Sequence, residues 1–336
     1  MNIAIVGATG NVGRKLLEVL EKKQFPIDEL FLIASSKSVG KKINFKGKEH
    51  VILDLEEFDF SKVKIVFFSA GSAIAEKWGP IAAEKTIVID NSKFFRKDPD
   101  IPLVVPEVNS KDLSLLKNKN IISNANCTVI PMVVALKPLH DLYQVKRIVA
   151  STYQSVSGGG KAPMDELLSQ TKEFFENKEL KSKYFTKQIA FNAIPHIDSF
   201  LENGYTKEEQ KMHDEVKKIL DKKIKISSTS VRIPVLVSHS VSVNVEFNQK
   251  HKLDEIKNVL STSPGCKVID EHEDGGYITP VEAENKFETF ISRIRSDESQ
   301  PNTINLWIVS DNLLKGAALN AVDIAEALIK NNFYGK

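Results

Sequence analysis

Residues 2–22 constrain the fold more than any other stretch. Asn2-Ile3-Ala4-Ile5-Val6 is an unbroken apolar run of strand length, followed without a spacer by Gly7-Ala8-Thr9-Gly10-Asn11-Val12-Gly13. Arg14 through Lys22 then carries Leu16, Leu17 and Leu20 on one helical face. A strand, a glycine turn and a helix in direct succession open a wound α/β sheet. They leave backbone N–H groups able to approach a pyrophosphate at the helix N-terminus. The spacing G-x-x-G-x-x-G is not the commonest dinucleotide fingerprint, so the flanking strand and helix carry the assignment.

The alternation continues. Strand-like runs recur at Leu30–Ala34, Ile65–Phe68, Ile87–Ile89 and Asn120–Ile122, and Ser69-Ala70-Gly71-Ser72 is a second small-residue turn opening a helix. That pattern predicts a doubly wound parallel sheet, with ligands gathered at the carboxyl ends of its strands. Ser72, Asn91, Arg96 and Cys127 are then expected around one crevice, where Arg96 could bind an anionic substrate group. An NAD site usually carries Asp or Glu after the second strand, for the ribose hydroxyls. Here the chain reads Ser35-Ser36-Lys37-Ser38, with Lys41 and Lys42 close behind. Cations and hydroxyls suit a 2′-phosphate, which points to NADP.

Composition narrows the alternatives. With 336 residues, 42% hydrophobic and 27% charged, the chain has the length of about two globular domains. A net charge of +2 gives no reason to expect nucleic acid or a membrane surface. Two cysteines cannot build a disulfide framework, and neither a signal peptide nor a membrane-length apolar segment is visible. The expectation is a cytoplasmic protein. The histidines show no metal-ligand spacing, and no metal is predicted.

Cys127 follows a strand and precedes Val129–Leu136, which reads as the start of a helix with Pro131 in its first turn. A thiol at the positive end of a helix dipole is biased toward thiolate, and free N–H groups there can hold an oxyanion. An arbitrary cysteine is more often a packing residue. The junction and the residues that follow favour a nucleophile.

Beyond residue 130 the texture changes. Ile148–Val156 is a long strand-like run ending in Ser157-Gly158-Gly159-Gly160, where small residues allow close approach to a flat ring. The next helix carries Met164, Leu167, Leu168, Thr171, Phe174 and Phe175 on one face, read as core. Residues 206–223 form a charged helix capped by Thr206 with Glu208 or Glu209. Arg232 and His239 are an odd number of residues apart and would face opposite ways on one straight strand. Both reach one pocket only if the chain breaks between them, as Pro234 permits. Cys266 reads as an incidental loop cysteine. Thr303–Val309 is a strand, and Leu313–Ile329 a helix expected to return to the nucleotide domain.

Several of these segments occur together in one family. Gly7–Gly13, Asp90-Asn91-Ser92 through Arg96, Leu103–Asn109, Thr152-Tyr153-Gln154, Val231–Pro234 with His239, and Ser310–Ala318 resemble, in order, the bacterial aspartate-semialdehyde dehydrogenases. One departure is Ala125, where that family usually has proline before the Asn126-Cys127 pair. The resemblance implies a Rossmann-like NADP-binding domain, 1–127 plus 313–336, and an α+β catalytic and dimerisation domain, 128–312, with a mixed or antiparallel open sheet. It implies reversible reductive dephosphorylation of L-aspartyl 4-phosphate to L-aspartate 4-semialdehyde, in lysine, threonine and methionine synthesis. By the same resemblance Cys127 is the nucleophile beside Asn126, His239 the acid and base, and Gln154 the orienting amide. Arg232 would clamp the substrate carboxylate, Glu208 receive the amine, and Arg96 and Lys211 bind phosphate. The cofactor positions are Gly7, Thr9, Gly10, Asn11, Val12, Lys37, Ser38, Ser157, Gly158 and Asn312. A homodimer or homotetramer is implied. The alternatives are N-acetyl-glutamyl-phosphate reductase, whose nucleophile lies in a different local sequence, and a non-catalytic NADP-binding homologue.

Overall fold

The computed structural model describes residues 1–331. The last five residues of the predicted C-terminal return, 332–336, lie outside the described residues. The chain forms two compact units, Met1–Ala125 with the segment from Ala317 onward, and Asn126–Gly316. The sequence expectation put these transitions at 127/128 and 312/313.

In the first unit, β1 (Ile3–Val6) leads through the glycine turn to α1 (Asn11–Lys22), and β2 (Leu30–Ala34) follows. Next come β3 (Lys42–Phe45), β4 (Lys48–Asp54), β5 (Ile65–Phe68), α2 (Ser72–Ala83) and β6 (Ile87–Asp90). A two-residue β7 (Leu103–Val104), a short α3 (Pro106–Asn109) and β8 (Ile121–Asn124) complete the run. The eight strands lie in the order β3-β4-β2-β1-β5-β6-β8-β7, parallel except for the β3/β4 pair. Strands β1, β5 and β6 have few polar side chains because helices cover both faces of such a sheet. The chain winds outward in both directions from β1, so the crevice at its carboxyl end is the topological switch point. The glycine turn sits there.

Helix α1 begins at Asn11, three residues before the apolar periodicity does. Gly7 has φ +87°, and a Cβ on Gly13 would lie 2.3 Å from the Gly7 carbonyl oxygen, so the helix rests directly on the turn.

The second unit starts with α4 (Val129–Tyr143), β9 (Val145–Gln154), α5 (Lys161–Phe175) and α6 (Lys207–Ile219). It continues through β10 (Lys225–Arg232), β11 (His239–Phe247), α7 (Leu253–Thr262), β12 (Cys266–Val268) and α8 (Pro280–Ala283). Strands β13 (Thr289–Ser296) and β14 (Thr303–Ser310) close a mixed six-stranded sheet, β10-β9-β11-β14-β13-β12. The predicted Leu313–Ile329 helix is interrupted: Leu314–Ala318 is a π-turn, and α9 (Leu319–Lys330) follows in the first unit. There Lys23, just past α1, pairs with Asp323 and Glu326, each at 2.6 Å.

Two sequence expectations need correction. Only part of the apolar stripe on α5 is core: Leu167 is buried in an apolar cluster with Met164 against it, whereas Leu168, Phe174 and Phe175 are exposed, and the aromatic pair packs with the equally exposed Phe191. The helix also buries Pro163, Glu166 and Gln170. Glu166 accepts the backbone N–H groups of Lys183 and Tyr184, and Gln170 those of Ile189 and Ala190. Loop donors without a ladder partner must be satisfied, and that demand turned two polar residues inward. Cys266 is likewise no loop residue. It opens β12, with its Sγ 3.8 Å from the Val134 carbonyl oxygen. Among the described residues, no helix is long and apolar enough to cross a membrane.

Candidate active site

Cys127 is half-buried in the stretch leading into α4, and the residue before it organises that stretch. The Asn126 side-chain oxygen accepts from the backbone N–H of Thr128 at 2.9 Å and from its hydroxyl at 2.6 Å. The Asn126 backbone N–H donates to Glu215 at 2.6 Å, and its Nδ2 to Glu208 at 3.0 Å. Ala125, where the resembling family usually has proline, is buried just ahead of these bonds.

Helix α6 presents Glu208, Lys211 and Glu215 at a spacing of three and four residues, one face of a helix. Its N-terminus is closed by the capping box of Thr206 with Glu209. Glu208 Oε1 also accepts from Gln154 Nε2 at 3.2 Å, while Oε2 receives Lys211 Nζ at 2.6 Å. Burial alone would raise this carboxyl, but the Lys211 charge and three side-chain hydrogen bonds outweigh it and hold it at about 2. Lys211 Nζ makes a second ion pair with Asp198 at 3.0 Å. Gln154 is fixed at its other end, its Oε1 accepting from the Thr152 hydroxyl at 2.9 Å.

Arg232 is the last residue of β10 and His239 the first of β11. The strand break that their parity required therefore exists, and it spans Ile233–Ser238. Both face the same place: a Cβ built on Gly158 would lie 3.4 Å from Arg232 Nη1 and 3.4 Å from His239 Nε2. Arg232 Nη1 donates to the Ser155 carbonyl at 2.6 Å. Burial pushes the guanidinium down from its ordinary value, while Glu208 and Cys127 push back, which couples Arg232 electrostatically to Cys127. Burial, with the Arg232 charge adding to it, pushes His239 down to about 3, so the ring is neutral at physiological pH.

Asp311 and Asn312 close the site. Asp311 accepts the backbone N–H groups of Leu313 and Leu314, which starts the π-turn. That turn sets Gly316 against Cys127, where an added Cβ would lie 2.9 Å from the cysteine Cβ. Asn312 reaches Ser157 and Ser238. Cys127, Asn126, Gln154, Glu208, Lys211, Arg232, His239, Ser157, Gly158 and Asn312 all belong to the second unit. Glu215, Ser155 and Gly316 were given no site role in the sequence reading. Only Glu215 had a visible signal, as the next step on the Glu208–Lys211 helical face.

The remaining candidates belong to the first unit. Gly7, Thr9, Gly10, Asn11 and Val12 form the turn after β1, and no side chain caps α1. Its first-turn N–H groups therefore suit a pyrophosphate. Lys37 and Ser38 lie in a single helical turn, Ser36–Ser38, beyond β2, and Lys37 is exposed. Lys42, also on this side of β2, pairs with Glu49 at 2.6 Å across an exposed surface. Ser72 opens α2 after β5. Beyond β6, Arg96 is buried and donates through Nη2 to the Asn91 carbonyl at 3.0 Å, and Asn91 Oδ1 accepts from Asn124 at 2.6 Å. Among the described residues, no group of His, Cys, Asp and Glu is arranged to hold a metal.

Residues 2–116 match the family model described as semialdehyde dehydrogenase, NAD binding domain, and residues 136–315 the one described as semialdehyde dehydrogenase, dimerisation domain. These models and the wound sheet define a semialdehyde dehydrogenase, an NAD(P)-dependent oxidoreductase. The aspartate-semialdehyde dehydrogenases of Rickettsia bellii and Aquifex aeolicus are each 50% identical, over 98% of this chain and 98% of theirs. The crystal structure of aspartate semialdehyde dehydrogenase II from Vibrio cholerae superimposes with a TM-score of 0.96 at 47% identity, covering 98% of both chains. The same enzyme was also solved complexed with ASA. This chain belongs to the aspartate-semialdehyde dehydrogenase family.

Proposed function

We propose that the protein is an NADP-dependent enzyme that converts L-aspartyl 4-phosphate reversibly to L-aspartate 4-semialdehyde through a thioester on Cys127. The convergence of Arg232 and His239 on the bare Gly158, with Arg232 coupled to Cys127, carries this reading. The Cys127 thiolate adds to the acyl carbon, and the tetrahedral oxyanion collapses. Phosphate leaves with its bonding pair and takes up the proton that the overall reaction consumes. A bound dinucleotide would supply hydride to the thioester carbon, and the resulting alkoxide would re-form a carbonyl and expel the Cys127 thiolate, releasing the aldehyde. No external base is needed in that last step.

Arg232 is the planar donor for the substrate α-carboxylate, and Glu208, ionised down to about 2, the acceptor for its ammonium. A free ammonium needs such a carboxylate and an acetylated nitrogen does not, which favours the aspartyl substrate over the N-acetyl-glutamyl one. Gln154 and Asn126 orient Glu208, while Arg96 and Lys211 take the phosphate. On the dinucleotide, Gly7, Thr9, Gly10, Asn11 and Val12 would hold the pyrophosphate, Lys37 and Ser38 the 2′-phosphate, and Ser157, Gly158 and Asn312 the nicotinamide end. The segment 1–127 with 313–336 serves as the NADP-binding domain, and 128–312 as the catalytic and dimerisation domain. The protein acts in the cytoplasm as a homodimer or homotetramer, within lysine, threonine and methionine synthesis.

The test is phosphate-dependent reduction of NADP by aspartate semialdehyde. Turnover with this aldehyde and none with N-acetyl-glutamate semialdehyde is expected, and the reverse preference would replace the assignment. Lys37→Asp puts a carboxylate beside the ribose and should lower kcat/KM for NADP about tenfold or more relative to NAD. An unchanged ratio removes Lys37 from the phosphate site.

A further inference from the structure

Lys211 is held by two carboxylates that differ in depth. Glu208 Oε2 lies 2.6 Å from its Nζ, and Asp198 Oδ2 lies 3.0 Å from it. The Glu208 side chain is 7% exposed and comes from the same helix, three residues back. The Asp198 side chain is 24% exposed and comes from a loop ahead of α6. Burial by itself would lower the Lys211 ammonium, but Glu208 and Asp198 hold it above its ordinary value, so it stays charged. An ammonium has three N–H donors, and the two carboxylates occupy two of them.

The loop that carries Asp198 is fastened at both ends. Ile194 exchanges two backbone hydrogen bonds with Arg232, at 2.9 and 2.8 Å. The Ser199 carbonyl accepts from the backbone N–H of Lys207, the first residue of α6, at 2.9 Å. Asp198 itself has φ +67°, a conformation that Asp and Asn adopt more readily than other non-glycine residues. Its Oδ1 accepts the backbone N–H of Ser199 at 2.9 Å, which leaves Oδ2 turned toward Lys211. The backbone on either side therefore aims this carboxylate at the ammonium. Glu208 already supplies the lysine with a buried counter-charge, so the effect of Asp198 falls on any other anion that uses the same cation. Of the two carboxylates, the outer one with the longer bond is the one such an anion can displace.

We propose that Asp198 is a built-in competitor for phosphate, occupying the Lys211 ammonium when phosphate is absent and reclaiming it when phosphate departs. The proposal rests on Lys211 being a phosphate cation of the reaction described above. Once the thioester forms, phosphate has to leave a site made of cations. A carboxylate on one of those cations lowers its affinity by competition and by like-charge repulsion. In the opposite direction phosphate is a substrate, and the same contact raises its KM. Asp198 acts through Lys211 and touches no reacting atom.

Asp198→Asn tolerates the positive φ and keeps an oxygen for Lys211, but removes the charge. The KM for inorganic phosphate in aspartate-semialdehyde oxidation should fall about threefold or more, with the KM for the aldehyde and for NADP little changed. Titration of inorganic phosphate onto the protein, followed by 31P NMR, should show its Kd falling by a similar factor without turnover. A merely structural role for Asp198 would loosen Lys211 and move both constants the other way. Phosphate constants that rise or stay unchanged overturn the proposal. Should the Asn form fail to fold, Asp198→Gly, at ease with positive φ, is expected to move the phosphate Kd in the same direction, and the same contrary results apply. A parent that binds phosphate but shows no turnover removes the dehydrogenase function and leaves the competition to be decided by the titration. A parent that binds no phosphate takes Lys211 out of that site, and this proposal with it.

Discussion

Cys127→Ala is expected to lower the rate of aspartate-semialdehyde oxidation by on the order of 10⁴-fold or more, with the fold and dinucleotide binding intact. The replacement is a small one. Asn126 makes its bonds to Glu208, Glu215 and Thr128 through its own side chain and backbone, not through the sulfur. The loop therefore keeps its shape while its nucleophile disappears. Cys127→Ser should be nearly as inactive, because an alcohol is far harder to ionise than a thiol and a poorer nucleophile toward the acyl carbon. Initial rates, with thermal unfolding as the control, make the measurement. Rates equal to the parent would take Cys127 out of the chemistry, and a large loss of melting temperature would mean that the residue mainly supports the loop.

The second large effect is expected at Arg232. Arg232→Leu should reduce kcat/KM about 10²-fold or more, since a bidentate charge-assisted contact to carboxylate is lost. Arg232→Lys should recover little of it, because an ammonium cannot reproduce the planar pair of donors. The same side chain faces the nucleophile electrostatically, so a second readout separates its two duties. In Arg232→Leu, alkylation of Cys127 at neutral pH should slow as the thiol loses a neighbouring cation. If alkylation slows while the KM for aspartate semialdehyde holds, Arg232 serves the sulfur and not the substrate. If neither moves, it serves neither.

What could be read from the sequence depended on whether the cause was local. The glycine turn after β1 was legible because strand length, small residues and a helical stripe lie next to one another. The break between Arg232 and His239 was legible from parity alone, since the sheet fixes which way alternate residues face. The stripe on α5 misled for the opposite reason. Helical periodicity says which residues share a face, not which face is covered, and the loop donors at Lys183, Tyr184, Ile189 and Ala190 decided that. Ser155 and Glu215 could not be found by spacing. Each acts across more than eighty residues, Ser155 on His239 at a separation of 84 and Glu215 on Asn126 at 89. The π-turn at Leu314–Ala318 was read as ordinary helix because its apolar pattern runs straight on into α9.

The place of Gly316 against Cys127 bears on how the protein is made. Cys127 is translated well before Gly316, so the sulfur is made without the backbone that later lies against it. The surroundings of the thiol are therefore complete only once the chain through Gly316 has been synthesised and folded back.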